Sequence, residues 1–298
     1  MAVWLCATAS ALVDFDKQWD YDNPAKTETR FAKLLDSKEF KSNPSARAEV
    51  RTQIARAQGM QEKFDQAHLT LDSVQDELSH LSPTVSARYM LERGRLISAA
   101  GEPKKAQRWF RSAYLFAEKH RLDFYTIDAA HMVALSETGK TALEWNQKAL
   151  QLAETTTDKR ANEWVGSIYN NMGWTYHDLN DYAKALVYLQ KALEWHEANS
   201  TGKPLLLARW SVGKLLRISG QLEKALDMQV RLEAAFAARK EEDGYVYEEI
   251  AETLRLLGRA NEARNYYGKA YFVLNHDAWL VRNEPARLAR LRQMAQPQ

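Results

Sequence analysis

Apolar side chains return along this chain at the spacing of a helix. Tyr182, Ala185, Leu186, Leu189, Ala192 and Leu193 stand at i, i+3, i+4, i+7, i+10 and i+11, one stripe of an amphipathic α-helix. No stretch of comparable length alternates as a half-buried strand does. The stripe is restated six times. An alanine opens each second helix, at Ala67, Ala106, Ala142, Ala185, Ala225 and Ala263, with intervals of 36 to 43 residues. Twelve positions before them stand the small residues Ala55, Gly94, Ala130, Gly173, Gly213 and Ala251, where two helix backbones can approach closely. Between the two series lie turns such as Gly101-Glu102-Pro103, Asn180-Asp181-Tyr182, Gly220-Gln221-Leu222 and Gly258-Arg259-Ala260, whose leading residues tolerate left-handed backbone angles. Repetition at this period marks stacked units, none of which buries its apolar face alone. The pattern predicts an all-α chain of six helix pairs.

The repeated residues resemble the tetratricopeptide repeat, whose signature runs W-x2-L-G-x2-Y and then A-x3-F. Gly173 with Met172 and Tyr176, and Ala263 with Tyr267 and Ala270, fit it best, and the resemblance covers residues 45–275. The third unit departs from it, with a displaced turn around Glu137-Thr138-Gly139 and Asn146 at the A-x3-F position; the fifth carries Gln229 there. Every interval exceeds the usual 34 residues, which predicts helices lengthened by about 1.5 Å per added residue. Units of this length look like those of kinesin light chains and of bacterial peptide-sensing regulators. The resemblance implies a right-handed α-α superhelical solenoid.

Both ends read as caps. Asn23 and Pro24 have the form of a helix cap and first turn, and Thr27, Phe31 and Leu34 continue the register backwards, so residues 24–38 read as the second half of a leading repeat. Before it, Phe15, Trp19 and Tyr21 interleave with four aspartates. No glycine turn or closing glutamate follows at calcium-loop spacing, which favours a capping loop packed on the first helices. Trp279, Leu280, Leu288, Leu291 and Met294 amid Arg282, Arg287, Arg290 and Arg292 predict a capping helix from about residue 277. The expected organisation is therefore a leader and capping loop over 1–23 and one repeat array over 24–298. Trp279 and Leu280, with no further repeat to cover them, also allow a homodimer through this last helix.

Composition narrows the function by exclusion. The 12 glycines are few, which suits helices and argues against phosphate-binding glycine loops. The net charge of +2, from 41 basic and 39 acidic residues, supplies no global field for nucleic acid or an anionic membrane. Cys6 is the single cysteine, so an internal disulfide and a cysteine-based zinc site are excluded. Residues 1–13 are apolar and small, and Ala9-Ser10-Ala11 has the form of a signal-peptidase site, but no Lys or Arg precedes it. The expected compartment is therefore the cytoplasm, with export as the alternative. No run reaches the length of a membrane span.

No G-x-S-x-G, H-E-x-x-H or G-x4-G-K-[ST] occurs, and the histidines are scattered, so neither an enzyme nor a cofactor or metal is expected. In tetratricopeptide arrays the first helix of each pair lines a concave face. Carried onto this chain, that resemblance implies a lining of Thr52, Arg56, Leu91, Arg95, Ile127, His131, Asn170, Trp174, His177, Trp210, Lys214, Arg217, Glu248, Glu252 and Arg255. Its first five units then offer Arg56, Arg95, Lys214 and Arg217 beside two tryptophans and no carboxylate. That chemistry suits an extended peptide bearing carboxylates or phosphates, because guanidinium pairs with both and tryptophan supplies contact area at small entropic cost. Pairing of the arginines with acids on neighbouring helices is the competing reading. The function expected is a non-catalytic protein-interaction module, with a nucleic-acid-binding or peptide-sensing regulatory repeat protein as the alternative.

Overall fold

The computed structural model describes residues 15–296, so the leader over 1–13 and its signal-like reading lie outside the described residues. The chain divides into two compact units, Met1–Trp164 and Val165–Gln298. The N-terminal unit runs α1 (Pro24–Leu35), α2 (Lys38–Lys41), α3 (Pro44–Met60), α4 (Phe64–Gln75), α5 (Pro83–Ala99), α6 (Pro103–Lys119), α7 (Asp123–Ser136), α8 (Gly139–Thr155) and α9 (Lys159–Asn162). The C-terminal unit runs α10 (Val165–Asp178), α11 (Tyr182–Asn199), α12 (Lys203–Ile218), α13 (Leu222–Ala238), α14 (Gly244–Leu256), α15 (Ala260–Leu274), α16 (Ala278–Asn283) and α17 (Pro285–Met294). Among the described residues there is no strand.

Six hairpins of helices follow the predicted register, α3/α4, α5/α6 and α7/α8 in the first unit and α10/α11, α12/α13 and α14/α15 in the second. Each pair meets at the residues marked by sequence: Ala55, Ala67, Ala106, Ala185, Ala225 and Ala251 have no exposed surface, and Ala130, Ala142 and Ala263 at most 3%. The glycines show why the position must be small. A Cβ at Gly94 would stand 2.4 Å from the Phe110 ring, and one at Gly173 would stand 2.6 Å from Leu189 and 3.3 Å from the Ala185 carbonyl oxygen.

Turn chemistry ends the first helices. Asn180 takes a left-handed φ of 61° while its N–H and that of Asp181 close back on the carbonyls of His177 and Tyr176. The same pair of bonds recurs at Glu62/Lys63, Gly101/Glu102, Gly220/Gln221 and Gly258/Arg259, satisfying carbonyls that the helix leaves open. The third pair is the exception foreseen: Glu137 and Thr138 are extended and Gly139 enters α8 directly. The starts are equally local. Asn23, Asn43, Asp181 and Asp277 accept backbone N–H groups at helix entries, and Pro24, Pro44, Pro83, Pro103 and Pro285 occupy first turns, where a missing N–H costs nothing.

Most of the paired helices reach 12 to 18 residues, as the long repeat interval requires. The largest interval, between Ala142 and Ala185, is lengthened by the extra α9, which Asp158 caps. At the C-terminus the single predicted helix is two, because Pro285 starts a new one after Glu284. Leu280, expected to be uncovered, is fully buried in the last core with Leu288 and Leu291, which removes it from any dimer surface and leaves Trp279 and Val281 exposed.

Candidate functional site

Counting from the small contact residue of each first helix orders the lining. The residue one position after it is Arg56, Arg95, His131, Trp174, Lys214 and Glu252 in turn. Four positions after it stand His177, Arg217 and Arg255 on the last three first helices. Residues three before it behave differently from expectation: Thr52, Leu91, Ile127 and Glu248 are buried, whereas Asn170 and Trp210 are partly exposed.

A second series escaped the sequence reading. Two positions before each small residue stand Gln53, Glu92, Asp128, Asn171, Ser211 and Glu249, polar in every unit. Their presence corrects the view of a lining without carboxylates. Arg95 pairs with Glu92 at 2.8 Å and with Asp128, and Arg56 approaches Glu92 at 3.8 Å. Arg217 embraces Glu249 through two bonds of 2.7 and 3.2 Å, with Lys214 at 3.8 Å from the same carboxylate. The four cations are thus engaged within the chain.

In the N-terminal unit this engagement is dense. Glu49 meets Arg88 at 3.1 Å, Arg88 donates to the Tyr125 hydroxyl at 2.8 Å, and that hydroxyl donates back to Glu49 at 3.3 Å. Burial works to raise the Asp128 carboxyl, but the charge of Arg95 outweighs it and holds the group below the usual carboxylate range. His131 lies against Trp164, ring centroids 4.9 Å apart, and burial depresses its imidazole to about 4, so it is neutral at pH 7.

The C-terminal unit presents aromatic surface instead. Trp174 and Trp210, on α10 and α12, lie with centroids 6.2 Å apart and planes tilted 40°. The Lys214 ammonium stands 4.7 Å from the Trp210 ring and 5.6 Å from that of Trp174. His177 meets the edge of Trp174 at 5.3 Å and bonds Asp178 at 3.0 Å. Asn170 turns away from this group and accepts the Ser211 hydroxyl at 3.1 Å. The Trp210 indole N–H is shielded from water and has no hydrogen-bond partner among the described residues. Beneath it, the buried Gln229 amide donates to the Trp210 carbonyl at 3.1 Å, so the residue that departs from the repeat signature ties α13 to the site.

Farther along, α14 carries carboxylates whose partners come from the cap. Glu248 binds Arg287, and Glu252 binds Arg290 and Arg255. Burial works to raise Glu252, but its arginine and tyrosine partners hold it low. Two arginines of α17 thus neutralise carboxylates of the last repeat. Among the described residues, no group of three or more His, Cys, Asp and Glu side chains is arranged to hold a metal, and no helix is long and apolar enough to cross a membrane.

The tetratricopeptide repeat family model matches residues 127–198. No curated relative matches by sequence. Among solved structures, the quorum sensor NprR of B. thuringiensis in its apo form is 14% identical with a TM-score of 0.63, covering 94% of this chain and 81% of its own. NprR in complex with its cognate peptide NprX gives 15% and 0.55, covering 96% and 84%. BtubC (BKLC) of P. vanneervenii gives 16% and 0.58, covering 77% and 94%. By sequence residues 127–198, and by fold the chain as a whole, resemble the tetratricopeptide family of helical-repeat solenoids.

Proposed function

We propose that this protein is a non-catalytic interaction module, a single repeat array over 24–298, that holds an extended segment of a partner protein on the face of α10, α12 and α14. One observation carries the reading: Trp174 and Trp210 are partly exposed on consecutive first helices, with Lys214 over both rings. Rigid aromatic area beside a cation is what a peptide anchor needs. The likeness to NprR, which binds its cognate peptide, supports a peptide as the ligand.

An acidic or phosphorylated residue in that segment is the finer part of the proposal. Arg217 is committed to Glu249 by two short bonds, so such a residue meets Lys214 first, whose contact with Glu249 is long. The indoles therefore supply affinity and Lys214 supplies preference for the anion.

The test is selection from a displayed peptide library on the full chain, followed by calorimetry of the chosen peptide. Trp174→Ala and Trp210→Ala, each with unchanged circular dichroism, are expected to lose more than about 1 kcal/mol of binding. Equal affinity in both variants would remove this face from the proposal.

A further inference from the structure

The N-terminal unit contains a lining surface that already has an occupant. Phe15 stands twelve residues before Thr27, as Ala55 stands before Ala67, so the register places a first helix there. Among the described residues the segment forms a short 3-10 turn, Asp16–Gln18, and runs on without helix to α1. Phe15 is 3% exposed and anchored against Phe31 and Phe40. Trp19 also meets the edge of Phe31, at 5.6 Å, while Tyr21 lies outside that core. They stack on one another at 5.0 Å with planes 12° apart. Arg56 lies over both, 5.2 Å from Trp19 and 5.6 Å from Tyr21, and the Trp19 indole donates to Gln53 at 2.9 Å.

Gln53 and Arg56 occupy the same register positions on α3 that Ser211 and Lys214 occupy on α12. The chain's own segment therefore sits on lining positions, and it does so as a ligand does. Tyr21 is 51% exposed, unlike a core residue. Beside its own turn bonds, from Gln18 N–H to the Phe15 carbonyl and from Asn23 N–H to the Asp20 carbonyl, the backbone is gripped by side chains: the Thr27 hydroxyl bonds both the N–H and the carbonyl of Asp20, at 2.9 and 3.1 Å, and Arg30 donates to the carbonyl of Gln18.

We propose that this surface is a second peptide-binding face, separate from Trp174 and Trp210, whose ligand class is a turn-forming segment with a Trp-x-Tyr pair flanked by acids. Residues 19–22, Trp-Asp-Tyr-Asp, are its resident ligand in cis, and a segment of the same chemistry from another chain competes with them. The stacked rings fit under one guanidinium, the indole N–H fits the Gln53 carbonyl, and Arg56, whose contact with Glu92 is only 3.8 Å, has capacity for a flanking acid. A tethered occupant acts at an effective concentration of order millimolar, so it masks the face from a free peptide until it is removed.

The experiment uses the full chain and a fluorescein-labelled peptide with the sequence of residues 17–23, read by anisotropy. The variant W19A/Y21A is expected to bind it saturably, at least about tenfold more tightly than the wild type, because the cis competitor is gone. Adding Arg56→Ala or Gln53→Ala should abolish the gain, and adding Trp174→Ala should leave it intact. The proposal is overturned if W19A/Y21A binds no better than wild type, if the gain survives both α3 substitutions, or if Trp174→Ala removes it. Should the double variant lose its helical circular dichroism, Tyr21→Ala alone, half exposed in the folded chain, gives the same readout with a smaller gain, and no gain there also overturns the proposal.

Discussion

Arg95 in the N-terminal unit and Lys214 in the C-terminal unit stand one residue after the small contact residue of their helices, yet they live in opposite surroundings. Arg95 is locked between Glu92 and Asp128, and Arg88 and Tyr125, which join Glu49 in a second cluster, stand one turn before those two carboxylates. Lys214 faces two indoles and touches a carboxylate only at 3.8 Å. The hairpins beneath them are alike, Gly94 against Phe110 in one and Gly213 against Gln229 in the other. The repeat is thus specified by its contact positions, which leaves lining positions free to become either a closed ionic surface or an open aromatic one.

The strongest way to break the comparison is to unpair a buried charge on the closed surface. Asp128→Ala leaves Arg95 with Glu92 alone, in a site where the Asp128 side chain is only 6% exposed. A loss of about 3 kcal/mol is expected by urea unfolding, against less than about 1 kcal/mol for Lys214→Ala, whose partners are ring faces and one long contact. Equal costs would mean the two surfaces do not differ in the way their geometry indicates.

Next in size is a change that should not distinguish the units. Gly94→Ala and Gly173→Ala each put a methyl within 2.4 to 2.6 Å of a buried side chain, and at Gly173 the Ala185 carbonyl also limits retreat. Both are expected to cost about 1–3 kcal/mol. A neutral result at Gly94 would show that Phe110 turns aside more readily than the packing implies.

The hairpins and their turns were legible because helix contact and left-handed turns each admit few residue types: Gly94, Gly173 and Asn180 announce themselves. The lining was only half legible. Whether Arg56, Arg95 and Lys214 are free or paired stayed open in the sequence, because their partners, Glu92, Asp128 and Glu249, stand mostly on the next first helix, 33 to 36 residues on, where nothing in the local pattern joins them. The polar series Gln53, Glu92, Asp128, Asn171, Ser211 and Glu249 was visible all the same, and following it would have paired the charges beforehand. Thr52, Leu91 and Ile127, expected in the lining, are buried while Asn170 and Trp210 at the same register position are partly exposed, so the register alone does not decide exposure.

A smaller effect, confined to the closed surface, comes from pH. His131 is depressed to about 4 by burial, below its unfolded value near 6.5. Between these values the unfolded chain binds more protons than the folded one, so the stability contributed by the neutral ring is complete above about pH 6.5 and is lost as pH falls toward 4. Asp128, held low by Arg95, adds a loss of the same sign at lower pH, as its carboxylate protonates. His131→Asn should flatten the upper part of the profile by an amount on the order of 1 kcal/mol while leaving the lower part. Urea midpoints at pH 7, 6, 5 and 4 for both proteins decide this, and parallel profiles would show that another group drives the loss.

The smallest expected effect sharpens the open surface. Arg255 pairs with Glu252 at 3.2 Å, but its side chain is 44% exposed and Glu252 keeps Arg290. Exposed ion pairs contribute about 0–1 kcal/mol, so Arg255→Ala should change stability by no more than about 0.5 kcal/mol. It should also leave affinity for a peptide held by Trp174 and Trp210 nearly unchanged, because the arginine is already committed to Glu252 and contributes no aromatic area. A large loss of binding with normal stability would extend the peptide face along α14, past the carboxylates that α17 neutralises. It would then be the free end of the Arg255 guanidinium, and not the indole pair alone, that reads the anion.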